Sequence, residues 1–82
     1  MHEPGAAINN STMKIVVIVE RTETGYSAYA PDVPGCIATG ESRSEVERTM
    51  QEALEFHLEG LRADGISVPE SDSYATTVEV AA

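Results

Sequence analysis

The order of signals along the chain predicts an α+β domain, β-β-β-α-β, with one four-stranded mixed sheet (strand order 3-2-1-4) and a single helix on one face. Three observations carry this. A β-branched run, Ile15-Val16-Val17-Ile18-Val19, stands near the start. A densely punctuated stretch from Gly25 to Glu45 follows, in which a Pro-Asp-Val-Pro-Gly break separates two strand signals and a helix start closes the run. Apolar residues then recur at helical spacing as far as Leu61, and one alternating segment, Tyr74–Val80, completes the pattern.

Residues Met1–Thr12 are rich in Gly, Ala, Asn, Ser and Thr, with one isolated Ile and no periodicity, which reads as a disordered tail. The domain is therefore expected over residues 13–82. Ile15–Val19 is apolar on both faces, the mark of a central strand covered on two sides. Arg21 to Gly25 reads as a turn, with Gly25 available for a positive φ, and Tyr26–Ala30 as the returning strand of a hairpin. Pro31 and Pro34 cannot donate to a sheet ladder, so they mark an edge or a loop, and Pro34-Gly35 is a turn-forming pair. Cys36–Thr39 is a short third strand ended by Gly40.

Ser42 and Glu45 have the spacing of a capping box, in which the hydroxyl accepts from one free helix N–H and the carboxylate reaches back to another. Val46, Met50, Ala53, Leu54, His57, Leu58 and Leu61 then form one stripe, and Glu47, Glu52, Glu55 and Glu59 lie opposite. Asp64-Gly65 closes the helix, Gly65 suiting the left-handed position after the C-cap. Ile66–Ser73, which contains Pro69, is a connector. Tyr74, Thr76, Val78 and Val80 alternate as a last strand. A three-strand meander leaves strand three parallel to strand one, and a right-handed crossover through the helix sets the last strand beside strand one. The face without a helix needs another cover, so a homo-oligomer built on dimers, or a stable hetero-complex, is expected.

Composition bounds the function. A single domain of 82 residues buries only about 60% of the surface its unfolded chain would expose, so its core is thin. Fourteen acidic residues against five basic ones give a net charge of −9, which excludes the basic footprint that direct nucleic-acid binding requires and favours a basic partner. The longest apolar run is far short of the roughly 20 residues of a membrane span, and the first twelve residues lack the charged and apolar regions of a signal peptide. A lone Cys36 makes neither an internal disulfide nor a cysteine zinc site and fits a reducing, cytoplasmic setting.

Candidate chemistry is sparse. His57 falls beside the apolar stripe with no partner indicated, His2 stands alone, and Cys36 at a strand start reads as a small buried hydrophobe. Glu20, Glu23 and Asp32 show no convergence toward a divalent ion and read as a solvated acidic surface. No catalytic residue, metal site or cofactor is expected, and the chain does not read as an enzyme. Tyr26 and Tyr29 fall on opposite faces of one strand, so one should lie under the helix and the other on the uncovered face. With Asp32 and Glu41 they are the candidate partner contacts. Pro31, Pro34, Gly35, Gly40, Ser42, Glu45 and Gly65 are read as structural.

The combination Gly25-Tyr26, Pro31-Asp32-Val33-Pro34-Gly35-Cys36, Gly40, a capped helix holding Glu52-Ala53-Leu54, and the exit Gly65-Ile66-Ser67-Val68-Pro69 resembles the HicB family of antitoxins over about Lys14 to Val80. The resemblance implies a partial ribonuclease H fold without its catalytic set. It also implies a small basic HicA toxin as partner, an mRNA-cleaving ribonuclease whose active site the antitoxin blocks. Many members add a DNA-binding segment, whereas this chain stops at Ala82 just after the last strand signal, so operator binding by it is not expected. An orphan oligomeric module with a structural or regulatory role is the alternative reading.

Overall fold

A computed structural model describes residues 13–82; the tail expected over Met1–Thr12 lies outside the described residues. Three strands, β1 (Ile18–Arg21), β2 (Tyr26–Tyr29) and β3 (Ile37–Gly40), form an antiparallel meander in the order β1-β2-β3. One helix, α1 (Arg43–Ala63), follows and packs chiefly over β3, then β2, and barely reaches β1.

The sheet offers the helix a smooth floor. In register, Val19 faces Ala28 and Ala28 faces Ala38, so the row beneath the helix is made of small or β-branched residues. Bulk comes from the helix: Val46, Met50, Leu54 and Leu58 recur on one side and are buried. The β2–β3 connection adds to this core. Two successive turns, closed by Val33 N–H to the Ala30 carbonyl and Cys36 N–H to the Val33 carbonyl, fold the Pro31–Gly35 segment so that Val33 is only 2% exposed. Gly35 takes φ 87° there, a conformation side chains disfavour.

Helix boundaries follow the capping chemistry. Ser42 Oγ accepts from the Glu45 N–H at 3.1 Å, and the Glu45 carboxylate accepts from the backbone N–H of Glu41, one residue earlier than the usual reciprocal bond. At the other end Gly65, at φ 72°, donates to the Arg62 carbonyl and Ile66 donates to the Leu61 carbonyl. Those two bonds are the Schellman pattern, and they satisfy carbonyls the helix leaves free.

Three expectations are corrected. Among the described residues no strand pairs over Tyr74–Val80, the sheet has three strands, and the order 3-2-1-4 is not formed. Beyond Ser73, whose N–H and Oγ both donate to the Asp32 carboxylate, Tyr74, Val78 and Val80 stand exposed instead of packing in a ladder. These bonds anchor the segment at the β2–β3 loop, at the end of the sheet where Ile18 pairs with Tyr29. Consequently β1 is an edge strand rather than an interior one, and its ladder starts at Ile18, leaving 13–17 unpaired. Gly25, finally, has no positive φ. It is glycine because a Cβ there would run into the Gly40 carbonyl oxygen.

Candidate partner-binding surface

Alternation along the three strands sorts the side chains between two faces. One face is the helix-covered core. On the other, Ile18 pairs across with Tyr29 and Tyr29 with Ile37, giving an apolar row that spans the whole sheet. Tyr29 is 43% exposed and Ile37 70% exposed. A second row on the same face, Glu20–Ser27–Thr39, is polar and carries one carboxylate. The open face is thus an apolar band beside an acidic margin, with aromatic area at its centre, a composition that suits a protein interface.

The four candidate contacts do not form one patch. Tyr26 belongs to the helix-side row Arg21–Tyr26–Gly40 and is partly buried against the core. Its hydroxyl accepts from Arg21 Nη2 at 3.3 Å, and the guanidinium carbon sits 5.7 Å from the ring centroid. That hydrogen bond raises the Arg21 pKa further. Glu41, exposed, shares a shallow cleft of about 300 Å³ with Tyr26 and the β1–β2 turn. Tyr29 and Asp32 stand at the opposite end of the sheet. Tyr29 lies in the exposed apolar row, whereas both Asp32 oxygens are taken by Ser73, at 3.0 and 2.9 Å.

Ile18 and Ile37, the flanks of Tyr29, were missed by sequence reasoning. The signal was present: Cys36 and Ala38 are small and buried, so Ile37, of opposite parity, has to face away. Phe56, 80% exposed on the outer side of α1, escapes a sequence reading because the helical stripe passes it by.

A larger concavity lies between β1 and the helix. Ile15, Val17 and Val19 line it from the strand side and Leu54 and Leu58 from the helix, with Glu47, Gln51, Glu55 and Glu59 along the helix rim. Its volume is about 830 Å³. It exists because the helix sits over β3 and β2 and, among the described residues, leaves the β1 side open.

Neither this groove nor the open face gathers reactive groups. Burial pushes the Cys36 thiol up, which lowers its thiolate fraction and its reactivity. His57 is half-buried beside the helix stripe. Among the described residues no three His, Cys, Asp or Glu side chains are grouped to hold a metal ion, and no helix is long and apolar enough to cross a membrane.

Comparison with known proteins adds a family. A model described as the HicB_like antitoxin of bacterial toxin-antitoxin system matches residues 14–81. A UPF0150 protein of Helicobacter pylori is 34% identical over 70 residues, covering 84% of this chain and 97% of that relative. An uncharacterized 14.9 kDa protein from the rep-hol intergenic region of Haemophilus phage HP1 is 38% identical over 56 residues, and the aligned part spans 42% of that protein's length. Among solved structures, a chain of the HicA3 and HicB3 toxin-antitoxin complex superposes with a TM-score of 0.58 at 30% identity, over 68% of this chain and 66% of that one.

Proposed function

The chain belongs to the HicB-like antitoxin family, and from that premise we propose that it binds and neutralises a small basic HicA-like mRNA-cleaving toxin. The observation that carries this reading is the open sheet face, where Tyr29 and Ile37 are exposed beside a half-buried Ile18 on a chain of net charge −9. Apolar contact supplies the affinity, and the negative field steers a cationic partner and selects against acidic ones. Similarity to a chain of the HicA3 and HicB3 complex supports the class of partner. Neutralisation is by occupancy, with Tyr29 as the central anchor; the chain supplies no catalytic group. It acts in the cytoplasm as a homo-oligomer built on dimers.

The test is direct. The purified chain is titrated into a cleavage assay containing the HicA-like protein encoded beside its gene and a labelled mRNA fragment. Cleavage is expected to stop near equimolar ratio, with the inhibition weakening as salt rises. Undiminished cleavage at molar excess overturns the reading. A chain that self-associates stably and leaves the toxin active is an orphan module instead.

A further inference from the structure

Among the described residues nothing covers the free edge of β1 or the groove beside it, while one segment patterned to fill both stands clear of its own fold. Tyr74, Val78 and Val80 are each about four-fifths exposed (81%, 79% and 78%), although they alternate with polar residues as a half-buried strand does. An exposed apolar strand and an open sheet edge in one molecule are complementary liabilities. The spacing also fits. On the edge side Ile15, Val17 and Val19 present every second residue to the groove, and Tyr74, Thr76, Val78 and Val80 offer the same period.

The segment stands clear of its own groove, whose lining includes none of its residues. Asp32 holds Ser73 by both carboxylate oxygens, at the β2–β3 loop. That loop stands at the end of the sheet where β1 begins, Ile18 pairing with Tyr29, so a segment leaving it starts level with the first residues of a β1 edge. Resting on the reading of this chain as a self-associating protein, we propose that it dimerises by strand exchange. Tyr74–Val80 of one copy lies parallel to β1 of the second copy, with Tyr74, Val78 and Val80 in the groove, and the second copy returns the same contact. A two-fold exchange is closed: it uses both edges and both segments once. Each sheet then acquires four strands in the order 3-2-1-4, the fourth supplied in trans. The apolar row on the open face is not consumed by this contact.

Cross-linking in the full-length chain decides the matter. Two variants, Val17→Cys and Val78→Cys, each in a Cys36→Ala background, are refolded together and treated with a short bismaleimide. Exchange gives a covalent dimer band that neither variant gives alone, and the doubly substituted chain also cross-links between copies. A band at monomer mass from the doubly substituted chain, or no 17–78 cross-link at all, overturns the proposal. Light scattering provides the second arm. Removing residues 74–82 is expected to weaken dimerisation by about 100-fold or more, since that burial is lost from both halves. A truncated chain that dimerises as tightly as the full one overturns exchange while leaving self-association intact; a full-length monomer overturns both. If truncation unfolds the chain, the full-length cross-link still decides between exchange and its absence.

Discussion

A methyl group added at Gly40 would sit 2.8 Å from the Val46 amide nitrogen and 3.0 Å from its Cα, both backbone atoms of the helix's first turn. Such neighbours cannot swing aside as a side chain can. Gly40→Ala is therefore expected to destabilise the fold by about 1–3 kcal/mol. Gly60 is the contrasting case: it lies inside α1 with open space where a Cβ would go. Gly60→Ala should stabilise by up to about 1 kcal/mol, through helix propensity. Urea midpoints at one fixed protein concentration test the pair, and shifts in the same direction would refute this account of Gly40. Cys36 gives a pH prediction. Burial raises its pKa above the ordinary thiol value of 9.0, so above that pH the unfolded thiol loses its proton while the folded one keeps it. The unfolded state then binds fewer protons, and stability must fall as pH rises through the alkaline range. Cys36→Ala should flatten that decline. If denaturation curves of the two proteins fall equally from neutral pH to above pH 9, this thiol is not the cause.

At the scale of elements, the helix is the most legible part of the chain. Its start, stop and stripe each have a local chemical cause, namely the Ser42 hydroxyl, the left-handed Gly65 and the spacing from Val46 to Leu58, and each appears where the sequence puts it. Ser42→Ala removes the acceptor of the Glu45 N–H and should cost about 1 kcal/mol, whereas Ser42→Asp should restore most of the loss. Equal melting of wild type and Ser42→Ala would mean the cap contributes nothing. The second and third strands are also readable, because prolines and glycines bound them. The ends of the sheet are not. A β-branched run says only that a segment suits a sheet, and Ile15–Val19 reads as interior because its apolar faces ask for covers that the described residues do not supply. Tyr74–Val80 likewise reads as a strand, yet no local rule could foresee that Ser73 is tied to Asp32, a contact spanning 41 positions. The same limit applies to the candidate surface. Parity on one strand finds Tyr29, but its neighbours Ile18 and Ile37 come from two other strands, and registers are set by long-range pairing.

The whole molecule combines a strong negative charge with an apolar band, and the two can be separated by experiment. Ile37→Asp leaves the net charge negative and breaks only the band. Because Ile37 is 70% exposed, its replacement should change stability by no more than about 0.5 kcal/mol while toxin neutralisation falls at least about tenfold. Calorimetry and the cleavage titration report the two effects, and unaltered neutralisation would remove the open face from the interface. The edge strand has a further consequence in time. β1 becomes a sheet edge once β2, its partner, is complete at Tyr29, and the segment that matches it starts at Tyr74, so 45 positions (74 − 29) separate their synthesis. At ribosomal rates of about 5–20 residues per second the edge exists for about 2–9 s before its complement is even made. Throughout that interval the nascent chain carries an uncapped sheet edge, a template for stray pairing. Translation makes the edge among the first surfaces of the domain to emerge and its match the last.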